Sequence, residues 1–156
     1  MVTRSTSDAT TTDREIVITR VFDAPRELVF DAWTDREAVA QWFGPNGFTM
    51  TLREMDVRPD GVWSFIFHGP DGTDYDNKIT FTEVDRPERL KYWHGTSENP
   101  REFEVTVTFV VQGKGTKLIL RSLFPTQEAR DKKTEFGAIE GGNQTLERLA
   151  QYLAKK

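Results

Sequence analysis

The sequence predicts an α+β domain: an antiparallel sheet of about seven strands wrapped on a long C-terminal helix, with two short helices after the first strand. Two patterns predict it. From Phe48 to Phe124 apolar residues recur with a period of two, between turn residues. From Thr126 to Leu153 the period changes, and Phe136, Ile139, Leu146, Leu149 and Leu153 fit one stripe of a helix. A third observation bears on function. That stripe carries Gly137, Gly141 and Gly142, although each glycine in a helix interior costs about 1 kcal/mol relative to alanine. Glycines kept there imply that something comes close to the helix backbone.

The elements follow in order. Residues 1–14 are rich in Ser and Thr, nearly devoid of large apolar residues, and read as a disordered tail. Ile16, Ile18, Val21 and Phe22 mark a first strand. Asp23-Ala24-Pro25 then starts a helix, since proline fits the first helical position and Glu27 suits the positive end of the helix dipole. Leu28, Val29, Ala32 and Trp33 form its buried stripe. Thr34 or Asp35 caps a second helix that turns Val39, Trp42 and Phe43 inward, and Gly44-Pro45-Asn46-Gly47 stops it.

In the sheet, Phe48, Met50 and Leu52 share a face. The phase slips at Arg53-Glu54, which implies a bulge before Met55 and Val57. Trp63, Phe65 and Phe67 alternate next, then Tyr75, Ile79 and Phe81, then Leu90, Tyr92 and His94. Phe103 to Val111 give the cleanest alternation, and Leu118, Leu120, Ser122 and Phe124 close the series. A sheet with one apolar face must cover it. A C-terminal helix of ~28 residues, roughly 42 Å long, is the element able to do so.

The totals narrow the functional classes. The chain has 156 residues, no cysteine and a net charge of -4. That size suits one domain, 15–156, and the lack of cysteine fits a reducing cytoplasm. The acidic balance argues against nucleic acid. No stretch approaches the ~20 apolar residues that span a bilayer, so no membrane insertion is expected.

Several motifs in order carry a resemblance: Trp42-Phe43-Gly44-Pro45 before Gly47-Phe48-Thr49, then Gly69-Pro70-Asp71-Gly72 with Tyr75 and Asn77, then Pro87-Glu88-Arg89-Leu90, and Leu146 to Leu153 at the end. Together they resemble the AHSA-like proteins, homologues of the C-terminal domain of the activator of the ninety-kilodalton heat-shock protein's ATPase. The resemblance covers residues from about Glu15 to the end, and so makes 15–156 an AHSA-like START-type domain. It implies the helix-grip fold of the START/polyketide-cyclase superfamily, and a binder of apolar or amphipathic small molecules. It also leaves two other functional classes open, a cyclase- or dehydratase-like enzyme and a chaperone-interaction module. The eukaryotic activator uses an additional N-terminal domain, where this sequence has a short polar segment. One position departs from the family, which often has Gly-Trp where this chain has Gly142-Asn143.

The candidate ligand-binding residues lie on both sides of the expected cavity. The sheet offers Trp63, Phe65, Phe67, Tyr75, Ile79, Tyr92, His94 and Phe103. The helix offers Phe136, Gly137, Ile139 and Gly141. His94 shares its parity with Leu90 and Tyr92, and so points inward on simple alternation. A ring exposed at the strand end beside Gly95-Thr96 is the blander and preferred alternative. For an enzyme, His94, Glu54 and Tyr75 are the acid/base candidates. Asn77 and Arg121 are further polar candidates, Arg121 on the outer face. His68 and His94 are the only imidazoles, on different strands, without the spacing of a metal site. Gly141-Gly142-Asn143 is no phosphate loop, because no strand precedes it and no Lys-Ser/Thr follows. No Ser-His-acid grouping is visible along the chain. The sequence points to no cofactor, no metal and no catalytic residue, and to a small apolar or amphipathic molecule as the partner.

Overall fold

A computed structural model describes residues 8–11 and 13–156. The described residues form eight strands: β1 (Asp8–Thr11), β2 (Glu15–Phe22), β3 (Thr49–Met55), β4 (Val62–His68), β5 (Asp74–Asp85), β6 (Arg89–Gly95), β7 (Phe103–Gln112) and β8 (Gly115–Leu123). They make one antiparallel sheet in the order β1-β2-β8-β7-β6-β5-β4-β3. Two helices, α1 (Arg26–Thr34) and α2 (Arg36–Trp42), separate β2 from β3, and α3 (Gln127–Glu135) and α4 (Ala138–Ala154) follow β8. The helix-grip architecture is therefore the one the sequence predicts, with the helices gathered on one sheet face.

The register decides which residues share that face. Phe103 pairs with His94, His94 with Ile79, and Ile79 with Trp63, so these four form one row across β7, β6, β5 and β4. A second row runs through Tyr92, Val105, Ser122 and Ile16 on β6, β7, β8 and β2. The expected bulge is present, as a register shift between Leu52 and Glu54 on β3.

The core lies between this face and α1, α2 and α4. Trp33, Trp42, Trp63, Phe65, Phe81 and Leu146 are among its fully buried side chains. Trp42 sits edge-on to Trp33 at 4.9 Å and to Phe43 at 5.4 Å between ring centroids. Its Nε1 donates to Ala32 O at 3.0 Å, satisfying a carbonyl in the last turn of α1. Asp35 caps α2 by accepting from Ala38 N at 3.0 Å. Arg20 on β2, buried, meets Glu147 of α4 at 2.8 Å and ties sheet to helix.

Four expectations need correction. Residues 8–11, placed in the tail, form a strand on the free edge of β2, with Asp8 opposite Thr19 and Thr11 opposite Ile16. Edge pairing uses backbone groups and needs no apolar side chains, so composition did not show it. Residues 1–7 and 12 of that expected tail lie outside the described residues. Leu28 is exposed, and Phe30 takes its place in the buried stripe of α1. Pro25 caps α1 instead of opening it.

The single long helix is two. Gly137 has φ 83°, in the left-handed region, and separates α3 from α4. Only glycine adopts that conformation without strain. Gly137 is thus a chain break, and α3 contributes no buried residue. Gly141 and Gly142 are the glycines that do permit close approach. A Cβ on Gly141 would meet Pro45 Cγ at 3.5 Å, and one on Gly142 would lie 2.5 Å from Ile18 Cδ1 on β2.

Candidate functional site

Beneath the first turns of α4 the sheet is not packed solid. A half-open cavity of about 360 Å³ lies there, between α4 and the β6-β7-β8-β2 half of the sheet. Ile16, Ile18, Val105, Leu120 and Phe124 form its floor, with Phe103 and Phe67 toward the mouth. Gly137, Ala138, Gly141 and Gly142 form its roof, and Gly44 and Pro45 of the α2–β3 loop close one side. Small residues on α4 keep the roof thin where the floor carries branched and aromatic side chains.

The α2–β3 loop is held in place by α4. Arg148 Nη1 donates to Gly44 O at 2.8 Å and to Pro45 O at 3.0 Å, and Nη2 donates to Gln41 O at 3.3 Å. Gln144 Oε1 accepts from Asn46 N at 3.1 Å. The chain reversal that sequence reads as a helix stop is therefore also a wall, fixed by two side chains of α4.

The polar groups of the cavity are few. His94 lines it, half-buried, and is the inward of the two alternatives drawn from its position. Asn77 Nδ2 donates to the Tyr75 carbonyl at 3.1 Å, which turns Oδ1 toward His94 Nε2 at 2.8 Å. The histidine therefore carries its proton on Nε2, and Nδ1 is left as an acceptor with no partner among the described residues. Burial lowers the His94 pKa to about 3, and the Lys133 charge adds to the effect. The ring is neutral throughout the physiological range.

Tyr92, two residues earlier on the same face, also lines the cavity. Burial raises its pKa, and the Trp33 indole opposes this slightly. Trp33 Nε1 is buried near that oxygen without completing a hydrogen bond of normal geometry. Ser122 and Thr145 complete the polar lining, Thr145 with its hydroxyl donating to Gly141 O at 2.8 Å. Lys133 stands at the mouth, 2.9 Å from Glu102 and 5.6 Å above the Phe103 ring.

The neutral, half-buried histidine makes stability depend on pH. His94 has a lower pKa folded than unfolded, so its contribution is complete above about 6.5 and is lost as pH falls toward 3. Between pH 7 and 5 the protein should lose roughly 2 kcal/mol through this group alone. Urea unfolding at the two pH values should show that loss in the wild type and not in His94→Leu. An equal loss in both would refute the assignment.

Of the twelve candidate ligand-binding residues, seven line the cavity: Phe67, Tyr92, His94, Phe103, Phe136, Gly137 and Gly141. Phe136 does so from the rim and is 87% exposed. The other five do not. Trp63, Phe65 and Ile79 share the sheet face but are sealed in the core, with Phe43 over Trp63 at 4.8 Å. Tyr75 is exposed beside Phe48, and Ile139 is half-buried away from the cavity. Asn143, the departure from the family pattern, does not line the cavity either. The acid/base candidates do not assemble: His94 is inside, whereas Glu54 and Tyr75 are exposed on β3 and β5. Arg121 pairs with Glu15.

One arrangement was invisible along the chain. Thr51 Oγ1 lies 2.6 Å from His68 Nε2, and His68 Nδ1 lies 2.7 Å from Asp74 Oδ1. The order hydroxyl, imidazole, carboxylate is that of a nucleophile relay. None of the three lines the cavity, and Thr51 and Asp74 are exposed. The chain of bonds links β3, β4 and β5 at one end of the sheet. Among the described residues no three His, Cys, Asp or Glu side chains gather as metal ligands, and no helix is long and apolar enough to cross a membrane.

Solved structures share this fold across almost their whole length. Protein Ms6760 from Mycobacterium smegmatis is 24% identical, with a TM-score of 0.88 over 97% of this chain and 99% of that one. A protein from Arthrobacter aurescens is 22% identical, with a TM-score of 0.87 over 96% and 92%. A protein from Staphylococcus epidermidis is 28% identical, with a TM-score of 0.81 over 94% and 93%. No functionally curated protein matches the chain. A family model described as Activator of Hsp90 ATPase homolog 1-like protein matches residues 23–154. With the helix-grip sheet and its C-terminal helix in place over that span, the chain belongs to the Activator of Hsp90 ATPase homolog 1-like family.

Proposed function

We propose that this protein binds a small apolar or amphipathic molecule between its sheet and α4. The observation that carries the reading is the cavity itself. Its volume of about 360 Å³ falls within the range of small-molecule sites, and its walls are aromatic and aliphatic with a few convergent polar groups. Each methylene of a ligand moved from water into such a site contributes about 0.8 kcal/mol. The bound molecule stabilises the folded state by mass action.

A thermal-shift screen with fatty acids, aromatic polyketides and flavonoids tests this directly. Gly141→Leu sharpens it. A Cβ at that position meets only Pro45, at ordinary contact distance, so the substitution adds bulk at the roof of the cavity without a backbone clash at Cβ. Compounds that raise the wild-type Tm should fail to raise that of Gly141→Leu. Equal shifts in both proteins would remove the roof of α4 from the site, and a screen without any stabilising compound would defeat the reading.

A further inference from the structure

The polar atoms that His94 and Tyr92 bring to the cavity are specific about what they accept. This inference rests on the cavity as a ligand site and asks which chemical group it selects. His94 and Tyr92 stand two residues apart on β6, with ring centroids 6.4 Å apart, and both line the cavity. His94 Nε2 is committed to Asn77 Oδ1, so Nδ1 can only accept. Trp33 Nε1, buried near the phenol oxygen of Tyr92, can only donate, so it does not occupy the Tyr92 O–H, which is free to donate. One acceptor and one donor, fixed on adjacent inward positions of a rigid strand, face a space walled by Phe43, Phe67, Phe103 and Phe124.

We propose that the cavity selects an uncharged hydroxyl group, a phenol or an alcohol carried on an apolar body, which donates to His94 Nδ1 and accepts from Tyr92. A hydroxyl satisfies both groups at once. A carboxylate has no proton to offer Nδ1 and would set its lone pairs against the ring nitrogen. The ring does not protonate to relieve this, because desolvation and the Lys133 charge oppose it. A hydrocarbon or an ether leaves Nδ1 without a donor, and an unmade hydrogen bond in an apolar site is the expensive outcome. Lys133, the cation nearest the mouth, is already paired with Glu102 at 2.9 Å.

Isothermal titration of the whole chain at neutral pH with β-naphthol, its methyl ether and β-naphthoate tests the selection. β-Naphthol should bind roughly tenfold more tightly than the ether, which can accept but not donate, and more tightly than the naphthoate. His94→Phe should bring the naphthol-to-ether ratio to near one, and Tyr92→Phe should weaken both several-fold. Equal binding of naphthol and ether by the wild type would overturn the hydroxyl selection and leave the cavity reading standing. Naphthoate binding as tightly as naphthol would also overturn it. If the folded wild type binds none of the three, the cavity reading falls, and this inference with it. The wild-type comparison decides the matter even if a variant fails to fold.

Discussion

Trp42→Ala is expected to destabilise the protein by about 3–5 kcal/mol, a large part of a small domain's stability. The indole is fully buried, so truncation leaves a cavity that helix and sheet cannot collapse around. It also strips the Ala32 carbonyl at the end of α1 of its donor. The Trp33 and Phe43 rings, each packed edge-on against it, lose their common partner. Both line the cavity under α4, so the same change should loosen the site. Urea unfolding at neutral pH measures the effect. Trp42→Phe keeps a ring but loses the hydrogen bond, and should fall between the two. An alanine variant within about 1 kcal/mol of wild type would contradict this account of the core.

Arg148→Met is expected to act on the site more than on the core. The variant keeps the length and apolar stem of the side chain but removes three hydrogen bonds to backbone carbonyls of residues 41, 44 and 45. Bonds from a charged donor are worth about 1.5–3 kcal/mol in mutational series. These share one partly buried guanidinium, so a total loss of about 2–3 kcal/mol is expected. The loop they hold is the side wall of the cavity. Two measurements follow. Amide exchange at Asn46, whose N–H is held by Gln144, should accelerate, and compounds that stabilise the wild type should stabilise the variant much less. Unaltered exchange at Asn46 would show that Gln144 alone secures the wall.

The sheet was legible because burial on one face imposes a period of two on every strand. Trp63-Phe65-Phe67 and Phe103 to Val111 announced their inner face, and the slip at Arg53-Glu54 announced its bulge. Alternation gives the face of a residue but not its neighbours across the sheet. Trp63, Ile79, His94 and Phe103 sit in one row, yet only the last two are under the cavity, because Phe43 covers the other end. Ile16, Ile18, Leu120 and Ser122, placed in strands by their alternation, are absent from the candidate ligand-binding residues for a related reason. They meet through pairing of β2 with β8, near opposite ends of the chain, and local pattern holds no record of such a pairing.

The C-terminal region shows the complementary limit. The apolar stripe from Leu146 to Leu153 is real, but Phe136 was added to it by spacing alone. A left-handed residue reorients the chain without disturbing the count of residues, so the break at Gly137 looks like an ordinary interior glycine. The strongly polar run from Gln127 to Glu135 was the available signal. A segment whose one apolar residue is Ala129 cannot carry on the apolar stripe of the helix that follows it.

The bulge on β3 has a consequence beyond the geometry of one strand. β3 is the last strand on its side of an open sheet, and a row of unpaired backbone groups there is a template for another chain. The register shift between Leu52 and Glu54 interrupts that row, and Arg53 and Glu54 place opposite charges at the interruption. An incoming strand would meet a broken ladder and two side chains that prefer water. The irregularity therefore makes the β3 edge a poor template for an added strand.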